Sequence, residues 1–154
     1  MPDNAIHLPD TVRRKAKAQG RDGERWLNHL PSLVGGIERE WCLTVGSALS
    51  GGSEAFVAIV RMDSKDDAIL KIEMSPYTSF ANEVRTLIAA DGRGYARLIR
   101  YDQSRHATLQ ERLGPSLREM NLPVSQQMAI ICATLRLTWE IPAPPTLQTG
   151  AEKA

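Results

Sequence analysis

Three features of this 154-residue chain could do chemistry together: Lys71 in the apolar run Ala68-Ile69-Leu70-Lys71-Ile72, an acid at Glu83, and the small residues Ser50, Gly51, Gly52 and Ser53. A lysine in a core-facing strand is costly unless something anionic meets it, so a partner for its ammonium group is expected. Glu83 is the candidate within the chain and a nucleotide phosphate is the candidate outside it. Glycines flanked by serines let backbone N–H groups approach a phosphate closely without spending a charge. Two adjacent glycines between strands also make an ordinary hairpin turn, and residues 50–53 by themselves leave both readings open.

The elements that must position these residues follow from periodicity. Residues 1–9 carry two prolines and little pattern, and Asp10-Thr11 then offers an N-cap for a basic helix, VRRKAKAQ, closing at Gly20. That helix reads as a solvated surface element, with a basic patch for an acidic partner as the alternative. Trp26, Leu27, Leu30, Leu33, Val34, Ile37 and Trp41 recur at helical spacing on either side of a break expected at Pro31. From Trp41 the period shifts to alternation, with Leu43, Val45 and Leu49 assigned to one face of a first strand. Residues 55–61 and 67–74 form a hairpin turned by MDSKDD. If Ile69 and Lys71 share a face, Leu70 and Ile72 lie on the other, which gives the sheet one ligand face and one helix-packed face. Pro76, Thr78 and Ser79 are helix-start signals for a helix with Phe80, Val84, Leu87 and Ile88 as its stripe, Glu83 beside it, and Asp91-Gly92 as its stop. Residues 96–102 and 106–113 predict two more strands around the turn DQSR, ended by Gly114 and Pro115. A helix over 123–140, with Met128, Ile131, Cys132 and Leu135 on one side, precedes a Pro-rich end expected to be disordered.

Bulk properties narrow the classes. With 42% hydrophobic and 24% charged residues the composition is that of a folded globular protein. A formal net charge of +1 gives no field that would gather nucleic acid or an anionic membrane. Cys42 and Cys132 stand far apart with no metal-ligand spacing, which argues against a disulfide framework or a zinc site and for a reduced, cytoplasmic setting. No run has the length of a signal peptide's apolar segment or of a membrane span.

Strand, small-residue turn, strand, strand with Lys and helix with Glu is the order of the small lobe of protein-kinase-like phosphotransferases. Over roughly residues 10–142 the chain resembles the aminoglycoside phosphotransferases of the streptomycin 6-phosphotransferase and hydroxyurea-resistance kinase group. The pieces that carry the resemblance are GERWLNHLPSLV, LSGGSEAFV, AILKIEM, NEVRTLIAADGRGYARLIRYD and LQERLGPSL. It implies an α+β fold: a kinase-like N-lobe with a five-stranded antiparallel sheet and a C-type helix, preceded by N-terminal helices. The implied organisation is a helical segment over 1–41, the small lobe over 42–114, a hinge and the start of the larger lobe over 115–141, and a disordered tail over 142–154. It also implies ATP and magnesium as cofactors and an aminoglycoside hydroxyl as acceptor. Carried over by position, Lys71 would hold the α- and β-phosphates and Glu83 would orient it. Ser50, Gly51, Gly52 and Ser53 would cover the phosphates, and Glu111 and Leu113 would lie at the adenine edge.

Transfer in this class also needs an aspartate at the acceptor hydroxyl, in a His-Gly-Asp loop, and another for magnesium. The three histidines stand in IHLPD, NHLPS and RHATL, so no catalytic residue and no metal ligand is assigned within residues 1–154. The expectation is a truncated member: the nucleotide-binding lobe without its catalytic half, inactive alone, with apolar surface that favours self-association. A non-catalytic nucleotide-binding module and a small α+β interaction domain are the competing readings.

Overall fold

In the computed structural model, residues 6–74 and 80–145 are described. The helix-start signals Pro76, Thr78 and Ser79 and the tail from 146 onward lie outside the described residues. Four helices and five strands follow in the order α1 (Asp10–Ala18), α2 (Arg21–Trp41), β1 (Leu43–Ala48), β2 (Ala55–Met62), β3 (Asp67–Glu73), α3 (Phe80–Ala90), β4 (Leu98–Asp102), β5 (Ala107–Glu111) and α4 (Val124–Trp139). The strands form one antiparallel sheet in the order β1-β2-β3-β5-β4. The fold is α+β. The chain divides into two compact units, one holding the chain up to Phe80 with Ile99–Arg112, the other Ala81–Leu98 with the chain from Leu113 on.

In the first unit, alternation decides what each sheet face meets. Phe56 pairs with Ile72, Ala58 with Leu70 and Val60 with Ala68, while Leu70 and Ile72 pair with Leu109 and Ala107 across the next ladder. All of these are buried in one cluster with Val12 and Ala16 of α1 and Trp26, Leu30, Val34, Ile37 and Trp41 of α2. Each large apolar side chain sealed there contributes about 1.5–3 kcal/mol. The sheet is therefore closed on one face by α1 and α2.

Several sequence expectations are corrected here. The helix break expected at Pro31 does not occur, and α2 runs unbroken for 21 residues with Pro31 inside it. An internal proline costs about 3 kcal/mol. The stripe Trp26, Leu30, Val34, Ile37 and Trp41 keeps its helical phase across Pro31, and burying all five residues outweighs that loss. The N-cap expected at Asp10-Thr11 falls to Pro9, with Asp10 the first helical residue and no side-chain cap bond. Leu49 does not share the face of Leu43 and Val45: a bulge between Val45 and Ala48 shifts the alternation, Ala48 takes the inward position, and Leu49 is exposed. In α3, Ile88 is 55% exposed and Ala90 is buried in its place beside Phe80, Val84 and Leu87. The fourth strand starts at Leu98, two residues later than expected.

In the second unit, α3 is followed by a turn in which Asp91, Gly92 and Gly94 all take positive φ. Gly94 lies against α4, where a Cβ would come within 2.7 Å of Thr138 Cγ2. No residue of α4 is buried, and Val124, Met128, Ile131, Leu135 and Trp139 are all exposed. Among the described residues no helix is long and apolar enough to cross a membrane.

Two local features set the stability of this frame. Gly23 touches α1 so closely that an added Cβ would lie 1.8 Å from the Ala16 carbonyl oxygen. Asp102 closes the β4–β5 turn, its Oδ1 accepting from the Ser104 amide at 2.8 Å, the Ser104 hydroxyl at 2.6 Å and the Arg105 amide at 3.1 Å. Burial pushes the Asp102 carboxyl up, but the hydrogen bonds from Ser104 and Arg105 and the Arg105 charge together hold it below its ordinary 3.8. A folded pKa below the unfolded one means that this stabilisation is present above about pH 4 and is lost as the pH falls through the folded value. Gly23→Ala is expected to cost about 3 kcal/mol, the upper end for overpacking, measured as a lowered urea midpoint. Asp102→Asn is expected to destabilise the protein at pH 7 and to converge with the wild type as the pH drops below 4, followed by thermal melts across pH.

Candidate nucleotide site

The sheet face opposite α1 and α2 carries the candidate site. On it, Lys71 of β3 stands between Val57 of β2 and Thr108 of β5, with Ile69 between Ile59 and Gln110 in the neighbouring row. Lys71 does not face open water: its side chain is 27% exposed and its Nζ lies 2.9 Å from Glu73 Oε1. Glu73 itself is buried, at 5% exposure. Residues two apart in a strand share a face, so this pair follows directly from β geometry. Glu73 is also held through its backbone, its N–H donating to the His106 carbonyl at 3.0 Å and its carbonyl accepting from Trp26 Nε1 at 3.1 Å. The end of β3 is thereby pinned from His106, the residue before β5, and from α2.

Around this cation the face is mixed. Val57, Ile59 and Ile69 are half-buried and give it flat apolar surface, while buried Thr108 accepts a hydrogen bond from Gln110 Nε2 at 3.0 Å. Such a surface can take the ring of a base beside a cation that takes its phosphates. A separate cavity of about 530 Å³ is lined by Ile6, His7, Val34, Val45, Gly46, Ser47, Ala48 and Phe56. Its Val34 and Phe56 belong to the helix-packed cluster, so it is not the Lys71 site.

The small-residue stretch lies between β1 and β2 with Ser50, Gly51, Gly52 and Ser53 all exposed. Gly51 has φ +129°, a conformation that L side chains rarely adopt, and no atom lies within 4 Å of where a Cβ would stand on Gly51 or Gly52. The backbone there is open to a ligand. Its ends are fixed: the Leu49 amide donates to the Val57 carbonyl at 2.8 Å, and the Met74 amide to the Glu54 carbonyl at 2.9 Å. The second bond sets the end of the loop against the end of β3, three residues beyond Lys71. Thr11 Oγ1 donates to the Gly52 carbonyl at 3.4 Å and Lys15 Nζ pairs with Glu54 Oε1 at 3.3 Å, so α1 also reaches the loop.

The remaining assigned residues divide between the units. Glu111 ends β5 opposite Ala68 and is half-buried; next to it Arg112 Nη1 pairs with Asp67 Oδ2 at 2.5 Å. Glu83 and Leu113 belong to the second unit, Glu83 half-buried in the first turn of α3 and Leu113 62% exposed. Sequence reasoning passed over Glu73, Val57 and Thr108. The i, i+2 spacing from Lys71 could have found Glu73, whereas Val57 and Thr108 become its neighbours only through the register of the two ladders.

Two curated proteins resemble the chain. One is the streptomycin 6-kinase of Streptomyces glaucescens, 28% identical over 145 residues, a match that covers 93% of this chain and 47% of that protein. The other is the hydroxyurea phosphotransferase of Kitasatospora aureofaciens, 32% identical over 110 residues, covering 70% of this chain and 32% of that protein. The chain thus spans about half of the first relative and a third of the second. No family model matches the chain.

The Lys71–Glu73 contact is directly testable. Glu73→Gln keeps the shape and removes the charge, and is expected to cost about 1–3 kcal/mol of folding free energy. Urea titration should show this as a lower midpoint at unchanged slope.

Proposed function

The chain fits an aminoglycoside phosphotransferase-like N-terminal part, and from that premise we propose that it is the nucleotide-facing lobe, kinase-like in fold, of an ATP-dependent phosphotransferase. The observation that supports this most is the placement of Lys71. An ammonium group stands on the sheet face that α1 and α2 leave uncovered, beside a buried carboxylate and flanked by apolar side chains. A purely structural ion pair would need no such setting, and an open glycine loop leading toward the same end of β3 is the second element of the site.

In this reading Lys71 takes the α- and β-phosphates, and the amides of Ser50, Gly51, Gly52 and Ser53 cover the triphosphate without adding charge. Val57, Ile59 and Ile69 meet the base, with backbone groups near Glu111 and Leu113 at its edge. Glu83 orients Lys71. Bound ATP supplies the phosphoryl group that is transferred. Magnesium and the acceptor hydroxyl are assigned to the part of the relatives that the match leaves uncovered, so the present residues bind and orient and do not themselves activate an acceptor. The acceptor is a hydroxyl of a streptomycin-type aminoglycoside, modified in the cytoplasm where ATP is held, and this modification would confer antibiotic resistance. The exposed apolar residues of α4 favour contact with that second lobe or, without it, self-association.

Calorimetric titration of ATP into the 154-residue chain is expected to give saturable binding. Lys71→Ala should weaken it about 10- to 100-fold, the worth of a charge-assisted contact, while adenosine affinity stays unchanged. Equal ATP affinity in wild type and variant would remove the phosphate role. Transfer of labelled phosphate from ATP to streptomycin is expected only when the remaining half of a relative is supplied in trans. No transfer in either arrangement would remove the acceptor assignment.

A further inference from the structure

α1 shows two stripes at helical spacing. Val12 and Ala16, four residues apart, are buried in the cluster that closes one face of the sheet. Thr11 and Lys15, also four apart, reach the glycine loop instead: Thr11 Oγ1 donates to the Gly52 carbonyl at 3.4 Å and Lys15 Nζ meets Glu54 Oε1 at 3.3 Å. The two contacts fall on Gly52 and Glu54, at and just after the segment whose conformation is freest, Gly51 with φ +129° and Gly52 with open space where a side chain would be. The helix is locked to the core through one stripe and holds the loop through the other.

The side from which it holds the loop matters. α1 packs with Ala68, Leu70 and Ile72, and Lys71 alternates onto the opposite face. Lys15 therefore acts from behind the loop and is not a phosphate ligand on the Lys71 side. In a trans peptide the carbonyl and the following N–H point in opposite directions. A Gly52 carbonyl turned to Thr11 accordingly aims the Ser53 N–H away from α1.

We propose that Thr11 and Lys15 are positioning residues which latch residues 50–54 from behind, so that the Ser53 amide is presented to the triphosphate on the Lys71 face. This rests on the nucleotide reading above, and the two can fail separately. An unlatched loop samples more conformations, and ordering it becomes a cost of binding.

The test uses hydrogen exchange of the amides of residues 50–54, first without nucleotide. In the double variant Thr11→Val with Lys15→Ala these amides are expected to exchange about two- to fivefold faster, the scale of an exposed ion pair and one hydrogen bond, with the overall melting curve little changed. The charge-reversed pair Lys15→Glu with Glu54→Lys should exchange more slowly than either single reversal, a rescue that a general loss of stability would not produce. In the same double variant, ATP affinity should fall about two- to fivefold and adenosine affinity should not move. Unchanged exchange at residues 50–54 overturns the latch whatever the nucleotide does. Faster exchange with undiminished ATP affinity overturns its positioning role. Should Lys71→Ala leave ATP binding intact, the nucleotide reading falls and takes that role with it.

Discussion

β3 is the constraint from which the rest of the structure follows. Its apolar residues Ala68, Leu70 and Ile72 must be sealed from water, and in a strand this sends Ile69, Lys71 and Glu73 together to the other side. α1 and α2 seal the first set from one face, which leaves Lys71 on the other with its side chain 27% exposed. Glu73 makes the arrangement tolerable. It supplies an anion at 2.9 Å and is itself anchored, through its backbone, by Trp26 of α2 and by His106, just before the strand that carries Thr108. One strand thus ties the core to the charged face.

The helices on the sealed face do more than exclude water. Carrying α2 straight through Pro31 keeps five large side chains in phase over the sheet, and the close seat of Gly23 on Ala16 brings α1 down beside it. From that seat α1 reaches the β1–β2 loop. The bulge in β1 turns Leu49 outward just before that loop begins, so the chain leaves the sheet exposed and with few packing partners. Loops of this kind are where binding groups are found on rigid scaffolds. Here the scaffold contributes contacts to the loop as well as its endpoints.

The relatives are named as a kinase and a phosphotransferase, and the chain corresponds to half or less of each. Phosphoryl transfer depends on aligning a donor, a metal and an acceptor, and the donor side can be built separately from the rest. Lys71, Glu73 and the glycine loop all lie within the first unit. Glu83 and Leu113 are carried by the second.

Much of this was legible in the residues alone. The succession of five strands along the chain, the placement of α3 after β3 and the opposite facing of Lys71 and Leu70 follow from periods of 2.0 and 3.6, which local sequence encodes directly. The unbroken α2 was not legible, because the local cost of Pro31 is outweighed by burial against a sheet that forms later in the chain. Neither was the bulge, which moves Ala48 into the position that strict alternation gives to a neighbour. Lys71's need for an anion could be read from one strand. Its pairing with Glu73 between Val57 and Thr108, and the hold of Thr11 on a carbonyl at Gly52, were decided only when distant segments came into register, since ladder registry and helix seating are properties of the assembled core.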